Sequence, residues 1–155
     1  MRRYLDLREY NNLKQSDIAK LLKIDRTTYL AIEKEYIDIS TDNLCKLAKY
    51  YNVSTDYLLG NTNELKPHKL IRRSSKNRLR QLRLQKKLTQ KELGKKINMS
   101  QTGYSQYEVG TTDISNNMLL KLSDFYKVSI DYILYRTDDK TKYNEITFNI
   151  DEKDR

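Results

Sequence analysis

Apolar residues along this chain fall in short clusters at helical spacing, each closed by a polar turn. In the second half, Leu79, Leu82 and Leu88 outline a first helix and its exit, and Leu93 and Ile97 a second. Tyr104 and Tyr107 mark a third, Leu119, Leu122 and Tyr126 a fourth, and Ile130, Ile133 and Leu134 a fifth. Helix-start residues stand in front of these clusters. Thr89, Ser100, Ser115 and Ser129 can each accept from the orphan N–H groups of a first turn. The first half repeats the pattern with Lys14, Asp25, Ser40 and Ser54 at the same points, and of these Lys14 alone has no side-chain acceptor.

The two halves are copies of one another. A shift of 75 residues superimposes Tyr4–Leu59 on Leu79–Leu134 without a gap, with 20 identities over 56 positions. Only two copies exist and the period exceeds that of solenoid repeats, so each copy is expected to be a small helical domain. The expected organisation is a first domain at 1–60, a basic linker at 61–77, a second domain at 78–135 and a charged tail at 136–155. The linker holds the chain's one proline and one histidine, Pro67 and His68, and marks the boundary. In the tail, Ile146, Phe148 and Ile150 alternate with polar residues, the pattern of one short β-strand. A lone strand needs a partner. Pairing of two chains, docking on another protein and absence of structure all remain open for it.

Charge sharpens the picture. Of the 155 residues, 30 are Lys or Arg and 21 Asp or Glu, a net charge of +9 that suits a polyanionic partner. Residues 61–77 carry +4 and residues 78–135 carry +5, whereas 1–60 carry +1 and the tail −1. The excess thus belongs to the linker and the second copy. No apolar run approaches the roughly 18 residues of a membrane span, and the N-terminus lacks an apolar signal core, so a soluble cytoplasmic protein without a membrane partner is expected. A lone cysteine, Cys45, makes neither a disulfide nor a zinc site, and it reads as a small apolar residue of the fourth helix. Enzymatic chemistry finds no support: the one histidine sits in the linker, four glycines form no phosphate loop, and no carboxylate cluster offers a metal site. No cofactor is expected.

The residues of the five clusters carry a resemblance. Leu79-Arg-Gln-Leu-Arg, Leu88-Thr-Gln-Lys-Glu-Leu-Gly, Met99-Ser-Gln-Thr-Gly-Tyr-Ser-Gln-Tyr-Glu-Val-Gly and Val128-Ser-Ile-Asp-Tyr-Ile-Leu are similar to the helix-turn-helix domains of phage repressor and Cro type, the XRE family. The first copy resembles them through Leu13-Lys-Gln-Ser-Asp-Ile-Ala, Ile24-Asp-Arg-Thr-Thr-Tyr and Val53-Ser-Thr-Asp-Tyr-Leu-Leu-Gly. The resemblance implies an all-α chain of two tandem five-helix domains. Small residues, Ala19 and Gly94, stand where helices two and three cross. Asn98 suits the left-handed turn that follows, whereas Lys23 occupies a place where glycine is usual, and Glu35 one where the second copy has Gly110.

What the resemblance implies for function is specific. Its third helix lies in the major groove and the start of its second helix faces a phosphate. This assigns base reading to Arg26, Thr27 and Thr28 in the first copy and to Gln101, Thr102 and Gln106 in the second. Arg pairs with guanine, Gln with adenine, and a Thr methyl packs on thymine. Phosphate contact falls to Gln15, Gln90, Lys91 and Lys95, with Arg72 and Arg73 as a basic arm. Without the resemblance, exposed Gln, Thr and Lys side chains would be read as an ordinary solvated face. It also pairs Arg8 with Glu33 and Arg83 with Glu108 as structural ion pairs.

The expected protein is a sequence-specific regulator of transcription that binds double-stranded DNA, a repressor of phage or mobile-element type. The competing expectation is a protein-interaction module, antitoxin-like or anti-regulatory, using the first copy or residues 136–155 to hold a partner or a second copy of itself. Two motifs in one chain also raise the expectation of a covalent pseudo-dimer on half-sites about 34 Å apart.

Overall fold

A computed structural model describes residues 2–65 and 76–142. The regular elements among them are ten helices, five per copy. The first copy holds α1 (Tyr4–Tyr10), α2 (Gln15–Leu22), α3 (Arg26–Glu33), α4 (Thr41–Tyr51) and α5 (Thr55–Leu58). The second holds α6 (Leu79–Gln85), α7 (Gln90–Ile97), α8 (Gln101–Val109), α9 (Asn116–Tyr126) and α10 (Ile130–Ile133). The strand expected at Ile146, Phe148 and Ile150 lies outside the described residues, as do Pro67, His68, Arg72 and Arg73.

These helices are too short to stand alone in water, so their starts must be fixed by caps and their faces by burial. Asp25, Ser40, Ser54, Thr89, Ser100, Ser115 and Ser129 each accept from the backbone N–H three residues on. Lys14 supplies no side-chain cap; instead the Asp17 carboxylate reaches back to its N–H at 2.8 Å. Left-handed backbone ends recur at the period of the repeat: Asn12 and Lys87, Lys23 and Asn98, Glu35 and Gly110, Asn52 and Lys127, Gly60 and Tyr135. Backbone geometry has therefore been kept where the residue has not.

The repeat extends in space beyond Tyr4–Leu59 and Leu79–Leu134. Arg3 donates to the Thr62 carbonyl and lies over the Tyr57 ring, and Arg78 does the same with Thr137 and Tyr132. Thr62 and Thr137 are both buried. Residues 61–63 and 136–138 thus fold back onto the start of their own copy.

The copies are docked, not strung apart. α5 packs on α10, and the apolar side chains of both halves form one continuous core. Two pairs of aspartates exchange caps across the junction. Asp56 accepts from the N–H groups of Ile130 (3.1 Å) and Asp131 (3.2 Å), while Asp131 accepts from the Thr55 N–H (3.2 Å) and hydroxyl (2.6 Å). Farther out, Asp38 accepts from the Asn116 N–H at 3.0 Å, and Asp113 from the N–H of Thr41 at 2.9 Å and from its hydroxyl. Each carboxylate meets the first N–H groups of a helix in the opposite copy, where the helix dipole favours negative charge. Because the carboxylates reciprocate at the 75-residue shift, Asp56 with Asp131 and Asp38 with Asp113, the copies are related by a pseudo-two-fold axis passing between α5 and α10.

The symmetry is incomplete. Arg136 donates to Asp131 at 2.8 Å, but its counterpart on Asp56 is the neutral Asn61, also at 2.8 Å. Arg2 bridges Asp38 (3.0 Å) and Asn117 (3.3 Å) across the junction, whereas its counterpart Asn77 turns to the Tyr107 carbonyl.

Candidate nucleic-acid interface

The third helix of each copy is held by one buried ionic unit. Arg8 Nε lies 2.5 Å from Glu33 Oε1, and Arg83 Nε lies 2.5 Å from Glu108 Oε1. Each guanidinium also donates to the carbonyl that precedes helix two, Leu13 or Leu88. The two glutamate side chains are 4% exposed, so neither is compensated by water. Burial alone would push the Glu33 carboxyl upward; the bonds from Arg8 and then Gln15 more than reverse this and hold it below the usual range. Glu108 is held down in the same way by Arg83 and Gln90.

Gln15 and Gln90 occupy the first positions of α2 and α7, and their amides donate to Glu33 (3.0 Å) and Glu108 (3.1 Å). The ion pair therefore locks helix one, the start of helix two and the end of helix three together. An amide already fixed this way presents a preset orientation to whatever approaches the helix start.

Close backbone contact sets the angle between helices two and three. A Cβ on Gly94 would lie 2.7 Å from the Met99 carbonyl oxygen. The first copy tolerates Ala19 at this point, with the same turn closed by Ile24 N–H to the Ala19 carbonyl at 3.0 Å, against 2.8 Å for Met99 to Gly94. Tyr29 and Tyr104, fully buried, fill the space beneath the third helix of each copy.

On this frame the outer face of the third helix is free. Arg26, Thr27, Gln101, Thr102 and Gln106 are exposed on the outer turns of α3 and α8. Thr28 is half-buried and spends its hydroxyl on its own cap, Asp25, at 2.5 Å. Gln106 is held by its amide oxygen, which accepts from the Thr112 hydroxyl at 3.1 Å. Lys91 and Lys95 are exposed along α7, beside exposed Lys86, Lys87 and Lys96. The first copy answers with fewer exposed cations around α2, namely Lys14, Lys20 and Lys23, and each second helix carries one exposed acid, Asp17 or Glu92. Arg72 and Arg73 are not among the described residues.

The exchanged aspartate caps and the Arg3 and Arg78 clamps escaped the sequence reading. A signal was present. Asp38/Asp113, Asp56/Asp131, Arg3/Arg78 and Thr62/Thr137 are all identical at the 75-residue shift, although nothing local distinguishes a cap made within one copy from one made across two.

Paired helices two and three, braced by a buried Arg–Glu bond and with a solvent-facing third helix, define a helix-turn-helix unit, here present twice. Comparison with known proteins agrees: a helix-turn-helix family model matches residues 79–133, and a helix-turn-helix domain model matches residues 3–64. Each copy thus matches a helix-turn-helix model of its own, that of the second copy being of XRE type. The chain is 44% identical over 62 residues to the uncharacterized HTH-type transcriptional regulator YobD of Bacillus subtilis (strain 168), a match covering 40% of this chain and 55% of that one. It is 41% identical over 59 residues to the HTH-type transcriptional regulator ImmR of the same organism, covering 38% and 46%. For the uncharacterized HTH-type transcriptional regulator YqaE, also from B. subtilis, the figures are 33% over 75 residues, 48% and 60%. The chain thus spans about half the length of the curated relatives it matches. No solved structure matches it. Among the described residues no helix is long and apolar enough to cross a membrane.

Proposed function

We propose that the chain is a sequence-specific double-stranded DNA-binding regulator of transcription, a cytoplasmic repressor of phage or mobile-element type that acts by occupying its operator. The observation that carries this reading is the exposed face of α8: Gln101, Thr102 and Gln106 stand outward on a helix clamped by the buried Arg83–Glu108 pair, beside the cations of α7. Amide side chains match the donor and acceptor edge of adenine, and a Thr methyl matches that of thymine. Lys91 and Lys95 supply the phosphate attraction that needs no sequence. The similarity to proteins named transcriptional regulators supports the same reading.

The test is selection of bound fragments from a genome library by the full chain, followed by titration of the recovered duplex against random duplex at one salt concentration. A specific operator should be held about a thousandfold or more above random sequence. Equal affinity for all duplexes, or none, refutes the proposal.

A further inference from the structure

We infer, resting on the DNA-binding reading above, that one chain reads an asymmetric operator: two unlike half-sites of a single duplex, one beneath α3 and one beneath α8. The junction carries the first part of the inference. Asp56, Asp131, Asp38 and Asp113 exchange caps across a pseudo-two-fold axis, and that axis relates α3 to α8. Asp56 and Asp131 are fully buried there, and the face that would meet a second chain about this axis is already filled by the other copy.

The reading faces carry the second part. Arg26 faces the place that Gln101 takes in the other copy, Thr28 that of Gly103, and Ala31 that of Gln106; Thr27 and Thr102 alone agree. A guanidinium selects guanine and an amide selects adenine, so the half-sites must differ where these residues reach. Two-fold docking with unlike readers gives an operator with related halves that is not a palindrome. Excess cations around α7 add that the α8 half should dominate affinity.

Selection from random duplexes by the full chain, with the mass of the complex read by light scattering, tests this. The expected motif has two unlike halves spaced by about 10 base pairs, bound by one chain, with scrambling of either half weakening binding at least tenfold. In the double variant Arg26→Gln, Ala31→Gln, checked by thermal melting to be folded, the α3 half-site should shift toward the α8 half-site and the motif should become more symmetric. A palindrome bound by two chains overturns the inference, as does a single half-site indifferent to its flank. Failure to enrich any duplex refutes the DNA-binding reading itself, which separates the two failures.

Discussion

Asp56 and Asp131, 75 positions apart, each cap the short helix that carries the other. Both are fully buried, and the Arg136 guanidinium lies 2.8 Å from Asp131. Burial, and then the negative charge of Asp131, push the Asp56 carboxyl up from 3.8 to about 6. A carboxyl raised on folding favours the folded state fully below its unfolded value and loses that contribution as pH rises through the folded one. The parent should therefore lose stability relative to Asp56→Asn as pH rises from about 4 to about 6. Urea melts across that window check it; parallel curves for the two proteins would contradict the assignment.

Removal of Glu108 should be costly for the opposite reason. Its partner Arg83 has a side chain 11% exposed and would be left with a buried, unmatched charge. Glu108→Ala should lose about 3 to 5 kcal/mol, a large share of a small protein's stability. Glu33→Ala should behave alike through Arg8. Both carboxyls are held low on folding, so their contribution is present above the ordinary glutamate range and fades as pH falls below it. Thermal melts of Glu108→Ala that match the parent at neutral pH would show the pair to be ornamental.

Lys23 offers a gain. It is exposed and left-handed, with φ 57°, at a turn where its counterpart is Asn98. A Cβ in that conformation costs more than the extra chain entropy of glycine, so Lys23→Gly should stabilise by about 0.5 to 1 kcal/mol. Asn98→Gly should gain less, because Asn tolerates this region better. Denaturant midpoints decide it: a loss for Lys23→Gly, or an equal gain at both sites, contradicts the cost assigned to the backbone.

Most of each copy was legible from the chain. Serine, threonine and aspartate caps announced seven of the ten helices, and the 3.6-residue spacing of apolar positions named the core. Arg8 with Glu33 and Arg83 with Glu108 came from the family pattern, and the structure brings each pair within 2.5 Å. What escaped was the relation between copies. Asp38 and Asp113 look like ordinary loop acids, and Asp56 and Asp131 look like first-turn acids of their own helices, because a cap is local in geometry while its donor can come from anywhere in the chain. For the same reason nothing in the basic linker announced that α5 docks on α10.

Within the DNA-binding account, base contacts and phosphate contacts should fail differently. Lys91→Ala should weaken all duplexes alike and reduce the salt slope of binding by about 1, since it removes one phosphate contact. A loss confined to one base position would assign Lys91 to reading instead.

The central claim, that α8 reads bases, is tested most directly by titrating Gln101→Ala against the selected operator and its single-base variants at one fixed salt concentration. The account predicts a loss of about 1 to 3 kcal/mol on the operator, with discrimination relaxed at one base pair and retained at the others. It also predicts a smaller loss for Arg26→Ala, because the first copy has a net charge of +1 against +5 for the second. Undiminished affinity and unchanged base preference in Gln101→Ala would contradict it.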